Sequence, residues 1–182
     1  MKSETIVIPS KIDDKLFSGF AFFDTIILRK QFRSPLIFAG LMGAFACICY
    51  ALHNKADQAV FMGNVLLIIG LALPIVYFGS FFNSVQTQIT KLHLRYPQHV
   101  YTVYLDDEKD GVVIADPKAS STSFRKWDDI FGAYRVKGCI YLYVTPRQAF
   151  LLPDGQANVT PDELWAFLQE KLPQDKMKNR IK

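Results

Sequence analysis

Residues 34–52 read SPLIFAGLMGAFACICYAL and residues 59–82 read AVFMGNVLLIIGLALPIVYFGSFF, and neither run contains a charged side chain. At 1.5 Å per residue the first run makes a helix of roughly 28 Å, close to the hydrocarbon thickness of a bilayer. The second run is long enough to span a bilayer with tilt. A helix in a soluble core needs a polar face toward water, and neither run has one. The two runs therefore predict two transmembrane helices.

The charges beside the runs predict their topology. The link between them, residues 53–58, has room only for a turn, so the helices should form an antiparallel hairpin with both flanks on one side. The membrane-proximal cations on those flanks are Arg29, Lys30, Arg33, Lys91 and Arg95. The positive-inside rule then places both chain ends in the cytoplasm. We expect these cations to act only electrostatically, by setting topology or by attracting anionic lipid at about 1 kcal/mol each.

Small and polar residues in the two runs predict how the helices pack. Ala39, Gly43 and Cys47 recur every four residues and form a stripe of small side chains on the first run. Such a stripe lets another backbone approach closely, most simply the second helix of the same hairpin, with homo-oligomerisation as the second option. Pro74 predicts a kink in the second helix, and Asn64 predicts a hydrogen bond near the loop side.

The composition of the whole chain excludes several classes of protein. A chain of 182 residues suits a small domain plus a membrane insert. The formal net charge of +4 forms no long basic stripe, so no nucleic-acid partner is expected. Three cysteines without a repeated spacing argue against a disulfide framework and against a zinc site. The lipid bilayer is thus the first partner that the sequence indicates.

The segment before the hairpin predicts a strand followed by a helix. Residues 5–9 are apolar and suit a short strand, and Ser10 with Asp13 resembles a capping box that would start a helix at Ser10. Apolar residues at helical spacing follow, up to the basic residues before the first run. This amphipathic helix should lie along the cytoplasmic interface or pack on the C-terminal domain.

After the hairpin, alternating apolar and polar residues predict a small β domain closed by a helix. The predicted strands are residues 99–105, 112–115, 120–127, 131–136, 140–144 and 149–152. Thr160, Pro161 and Glu163 mark the start of an amphipathic helix that Pro173 ends. The fold class is therefore α+β, with a transmembrane hairpin and a small antiparallel sheet or partial barrel.

These signals divide the chain into consecutive segments. The predicted segments are an N-terminal strand and amphipathic helix over 1–33, the hairpin over 34–82, a membrane-proximal connector over 83–98, the β domain over 99–173 and a basic tail over 174–182.

The order of several motifs matches a known family. They are residues 10–14, the basic pair at 29–30, the strand at 102–107, WDDI at 127–130, YLY at 141–143, AFLLP at 149–153 and the helix at 161–172. In these the chain resembles the bacterial YcxB-like family. The resemblance implies a cytoplasmic domain of pleckstrin-homology-like (PH-like) fold, held at the bacterial inner membrane. It also implies that the N-terminal strand joins the C-terminal sheet around the inserted hairpin.

Candidate catalytic residues do not converge in the sequence. Trp127-Asp128-Asp129 is better interpreted as a turn with a buried tryptophan anchor than as a pair of catalytic or metal-binding carboxylates. The predicted anchors of the domain core are Trp127, Tyr141, Pro153 and Trp165. The acidic residues 106–110 lack the spacing of a calcium loop and suit a solvated turn. We therefore expect no enzyme activity and no cofactor.

The function that fits this pattern is a membrane-anchored binding module. Its partner would be a protein or lipid headgroups close to the bilayer. The first rival is an accessory subunit of a membrane complex or transporter that packs through the small-residue stripe. The second rival is a membrane enzyme.

Overall fold

The structure, a computed structural model, describes residues 5–52, 58–106, 110–116 and 121–180. Its internal contacts divide the chain into two units. The β domain comprises Met1–Phe20 and His93–Lys182, and the helical unit comprises Ala21–Leu92. The helical unit is thus inserted into the sequence of the β domain.

The helical unit contains the two apolar helices that the sequence predicts. They are α2 (Arg33–Ala51) and α3 (Ala59–Lys91). Both are long and apolar enough to cross a membrane, and only 11% of the most apolar window of each helix is buried. This exposure is unlike that of a helix in a soluble core. α3 continues past the uncharged run to Lys91 and runs through Pro74 without a break.

The N-terminal segment corrects one sequence prediction. β1 spans Ile6–Ile12 and α1 spans Asp14–Phe22, followed by a π-helical turn, Phe23–Leu28. Ser10 is therefore not the N-cap of α1; Asp13 accepts a hydrogen bond from the Leu16 N–H at 2.8 Å and takes that role. Ser10 lies inside β1 with no exposed surface, and its hydroxyl donates to the Leu151 carbonyl at 2.9 Å. Pairing of β1 with the sheet extends the strand through the predicted cap.

Two four-stranded sheets form the body of the β domain. Sheet I has the order β1-β2-β3-β4 and is antiparallel throughout; its other strands are β2 (Gln98–Asp106), β3 (Gly111–Asp116) and β4 (Ser121–Lys126). Sheet II has the order β7-β6-β5-β8, with β5 (Gly132–Val136), β6 (Cys139–Thr145), β7 (Gln148–Pro153) and β8 (Met177–Asn179). β8 runs parallel to β5, so residues expected in a basic tail belong to a sheet.

The core lies between the inner faces of the two sheets and is closed by α4 (Pro161–Lys171). Alternate residues supply it, such as Val103 of sheet I and Leu142 of sheet II, because successive side chains of a strand point to opposite faces. The predicted capping box of α4 is present: the Thr160 hydroxyl accepts from the Glu163 N–H, and the Glu163 carboxylate accepts from the Thr160 N–H at 2.8 Å.

β1, which precedes the hairpin in sequence, pairs with β2, which follows it. The register runs from Ile6 opposite Leu105 to Ile12 opposite Gln98. The expectation that the N-terminal strand joins the C-terminal sheet is confirmed.

Candidate functional site

An open groove of about 580 Å³ at one end of sheet II is the candidate site. Its floor is apolar and aromatic, whereas its rim carries charges of both signs. We call its apolar and aromatic lining residues the floor (Ile130, Phe131, Tyr134, Val144 and Pro146) and its polar and charged ones the rim (Asp128, Asp129, Thr145, Asp175, Lys176 and Lys178).

A single turn places Asp128 and Asp129 on this rim. Trp127–Asp129 forms a 3-10 turn, and Trp127, with 4% of its surface exposed, packs against the Phe167 ring at 5.8 Å between centroids. The buried indole fixes the turn, so both neighbouring carboxylates point into solvent. The interpretation of Trp127-Asp128-Asp129 as a turn with a buried anchor is confirmed.

Lys176 closes the opposite side of the groove. Its Nζ donates to the carbonyl oxygens of Asp128 at 3.1 Å and Ile130 at 2.9 Å. A Cβ atom on Gly132 would lie 2.6 Å from the Lys176 carbonyl oxygen, so only glycine permits this close approach of β5 to the C-terminal turn. Lys176 therefore holds the rim together, whereas Lys178 stays exposed for a ligand.

The floor of the groove continues into an aromatic layer on the outer face of sheet II. Tyr134 contacts Tyr143 at 5.4 Å between ring centroids, and Phe20 of α1 contacts Tyr141 at 5.3 Å. Of the two expectations for the N-terminal helix, packing on the C-terminal domain is thus confirmed at Phe20 of α1. Burial raises the pKa of Tyr134 and outweighs the opposing effect of Arg180, so the phenol stays neutral at physiological pH.

The structure places all four predicted core anchors in buried positions. Trp127 and Trp165 face the main core, and Tyr141 lies in the outer aromatic layer beneath Phe20. Pro153 ends β7 opposite Cys139. Burial raises the pKa of the Cys139 thiol to about 12, so it is a neutral packing group and not a nucleophile.

The predicted membrane-proximal cations do not form one cluster. Arg29 pairs with Asp24 at 2.9 Å in the π-helical turn, next to Lys30. Arg33 is the first residue of α2, and Lys91 is the last residue of α3. Arg95 is an exposed residue of the β domain.

The register of the two helices separates Arg33 from Lys91. Met42 lies against Gly70, so Arg33 is level with a residue near Gly79 of the antiparallel α3. Lys91 lies about 12 residues further along α3, roughly 18 Å at 1.5 Å per residue. This distance exceeds the Debye length of about 8 Å at physiological ionic strength, so the charges of Arg33 and Lys91 are largely screened from each other.

The predicted packing stripe is only partly used within the hairpin. A Cβ on Gly70 would lie 2.8 Å from the Met42 Cβ and 3.6 Å from the Ala39 carbonyl oxygen. The close approach therefore comes from Gly70 of α3 against Met42, with Ala39 in ordinary van der Waals contact. A Cβ on Gly43 would meet no atom within 4 Å, and Cys47 is exposed, so neither makes the close contact that the stripe predicted. Asn64 makes the expected interfacial bond, accepting from the Tyr50 hydroxyl at 2.6 Å.

The described residues bring together no groups for metal binding. No three His, Cys, Asp or Glu side chains among them could hold a metal ion. In the groove, the charged rim lies above an apolar floor, which is an arrangement suited to recognition. The acidic turn over residues 106–110 lies mostly outside the described residues.

Residues 108–169 match the family model described as YcxB-like protein. The resemblance to the YcxB-like family is confirmed. The YcxB-like match covers β3 to β7 and most of α4, including Asp128 and Asp129 of the groove, whereas β1, the hairpin and β8 lie outside it. No curated protein and no solved structure matches the chain.

Proposed function

We propose that this YcxB-like chain is a membrane-anchored, non-enzymatic interaction module of the bacterial inner membrane. The hairpin crosses the bilayer twice, both chain ends lie in the cytoplasm, and the β domain, of PH-like architecture, meets a partner at the membrane surface. Two packed sheets, antiparallel apart from the β5–β8 pair and closed by a C-terminal helix, support the PH-like assignment.

The pairing of β1 with β2 is the observation that carries this proposal. Two strands of one sheet must lie in the same compartment, so a hairpin between them has to cross the bilayer an even number of times. α3 passes to β2 through residues 92–97, which reach at most roughly 20 Å when fully extended. A domain held this close meets other membrane-confined molecules at a high effective concentration.

The groove favours a protein over a lipid headgroup as the partner. Asp128 and Asp129 on the rim would repel a phosphate, and Lys176 is already engaged with backbone carbonyls. A polypeptide can match an apolar floor and charges of both signs at once. Lipid attraction then belongs to the cations next to α2, in a role without headgroup specificity.

Photo-cross-linking in membranes tests the module. A photoreactive amino acid at Phe131, which is 45% exposed at the groove, should give a discrete adduct with another protein. The matched control is Gln169, an exposed residue of α4 outside the groove, which should give none. Equal labelling at both positions, or no adduct at Phe131, would refute the proposed site.

The surface of α2 favours a second candidate, an accessory subunit of a membrane complex or transporter. A Cβ on Gly40 or Gly43 would meet nothing within 4 Å, so both glycines leave room for a foreign helix. Gly43→Leu fits the hairpin sterically and separates the two functions. It should leave the Phe131 cross-link of a binding module intact and should dissociate a subunit from its complex, as measured by native gel in mild detergent.

A further inference from the structure

β4 is an open edge of sheet I. The order β1-β2-β3-β4 leaves one side of β4 without a neighbouring strand. Residues 122–126 are all exposed. This includes the residues on the face of the sheet that, in the neighbouring strands, packs against the core. In an antiparallel ladder alternate residues of such a strand direct their N–H and C=O groups outward, where another strand can bind them.

The opposite edge of the same sheet is closed by side chains. The Lys11 N–H donates to the Gln156 Oε1 at 2.6 Å, and the Gln156 Nε2 donates back to the Lys11 carbonyl at 3.0 Å. Asn158 repeats this at Val7, where it accepts from the backbone N–H at 3.0 Å. Two amide side chains thus take the hydrogen bonds of a missing strand at β1, whereas β4 has no such cover within the described part of the chain.

Charge selects what the open edge accepts. Arg125 lies opposite Val112, in the row that continues into the core, and Lys126 lies on the other face. Neither cation makes an ion pair with any residue that the structure describes. Pairing of two β4 strands would bring four cations together, which disfavours a second copy of this chain. An acidic strand would instead neutralise both charges.

Phe124 adds an apolar element between these charges and the sheet. It is 45% exposed and lies opposite Val113, which in turn pairs with Tyr104, in a half-exposed apolar row across the outer face. Its ring also covers Gly111 so closely that a Cβ there would collide with it. An added strand that places an apolar residue opposite Phe124 would extend this row by one position.

We propose that β4 is the docking edge for an acidic, extended peptide of a partner protein, which adds to sheet I as an antiparallel strand. Read from its N-terminus, the peptide places acidic residues opposite Lys126 and Arg125 and then an apolar residue opposite Phe124. This inference rests on the module function proposed above and names the chemistry of the partner.

Peptide binding to the full chain in nanodiscs of zwitterionic lipid tests the proposal. The probe is a fluorescein-labelled peptide TEEVTVT, with TQQVTVT and TKKVTVT as matched controls, measured by anisotropy. Two exposed ion pairs contribute up to about five-fold each, so TEEVTVT should bind more tightly than TQQVTVT by up to roughly 25-fold. Equal affinity for the acidic and neutral peptides overturns the proposal.

Charge reversal provides the sharper arm. Arg125→Glu with Lys126→Glu should transfer the preference to TKKVTVT. The control Lys137→Glu with Arg147→Glu changes the net charge equally at exposed turns of sheet II and should keep the preference for TEEVTVT. An unchanged preference in the β4 variant, or an equal reversal in the control, refutes the edge as the site.

Backbone pairing is tested with peptides N-methylated at alternate residues in either of the two phases. One phase blocks hydrogen bonds to β4 and should abolish binding, whereas the other methylates outward N–H groups and should retain it. Similar affinities of the two forms contradict strand addition. Loss of peptide binding in nanodiscs of anionic lipid would assign the cations to lipid instead. Failure in any arm while the Phe131 cross-link persists overturns the docking edge alone and leaves the module function standing.

Discussion

Replacing Gly70 by alanine should loosen the helical hairpin, whereas the same change at Gly43 should not. The new methyl group at position 70 would lie 2.8 Å from the Met42 Cβ. Carbon atoms in contact prefer 3.5–4.0 Å, so the pair must separate by about 0.7 Å or more. A Cβ cannot move by a rotamer change, because it is fixed to the backbone, so the two helices themselves must part.

The size of the effect follows from comparing the two variants. Overpacking of a close contact costs about 1–3 kcal/mol, and removal of a glycine from a helix interior returns up to about 1 kcal/mol. The second contribution is common to both variants, since Gly43 and Gly70 each lie inside a helix. Their difference therefore reports the packing cost alone, and we expect Gly70→Ala to be less stable than Gly43→Ala by about 1–3 kcal/mol.

Unfolding in mixed micelles with increasing SDS measures this difference in stability. Energy transfer between labels on α2 and α3 monitors the separation of the two helices. The double variant Gly70→Ala with Met42→Gly moves the small residue to the other helix and should recover part of the loss. Equal stability of the two single variants, or a double variant whose effects simply add, would refute the assigned contact.

Further predictions concern the β domain. Tyr101→Phe leaves the Leu151 N–H, now bonded to the Tyr101 hydroxyl at 2.6 Å, without its partner, and should cost about 1–3 kcal/mol in urea unfolding; a loss under about 0.5 kcal/mol would contradict this. Gly132→Ala pushes against the Lys176 carbonyl at 2.6 Å, so it should cost about 1–3 kcal/mol and reduce groove cross-linking, with unchanged labelling as the contrary result. The Cys139 pKa is raised from 9.0 to about 12, so only the unfolded chain forms the thiolate between these values, and stability should fall as pH rises from 9 to 12. Cys139→Ala should reduce that alkaline loss, and an identical pH profile would argue against it.

Local signals predicted the elements whose residues decide their own structure. The uncharged runs became α2 and α3 because their length and composition suffice. Thr160 and Glu163 predicted the start of α4, since a capping box forms within a few residues. The prediction of Ser10 as a helix N-cap was wrong because the local capping signal competes with tertiary pairing. β1 pairs with β2 and stays a strand beyond Ser10, and the Ser10 hydroxyl donates to the buried Leu151 carbonyl.

The groove and the helix contact lay beyond the sequence for a related reason. The groove joins residues near 128, 145 and 176, whose proximity depends on the parallel pairing of β8 with β5. A strand of only three residues carries no alternation from which to predict it. In the hairpin, small residues on α2 indicate a potential contact face. The rotation of each helix about its axis decides which glycine lies at the interface. The close contact is made by Gly70 of α3 and not by Gly43 of α2.

The insertion of the hairpin between β1 and β2 leaves the main core of the β domain independent of the helical unit. Every residue of the main apolar core belongs to the β domain, so that core needs no side chain from the helical unit. Pairing of Ile12 with Gln98 closes a loop of the chain, and a preformed hairpin reduces the effective length of that loop to less than half. Each halving of the loop length lowers the free energy of loop closure by only about 0.6 kcal/mol. The hairpin thus adds little free energy to the sheet. Its main physical consequence is positional: because β1 pairs with β2, both chain connections of the hairpin lead to neighbouring strands of one sheet.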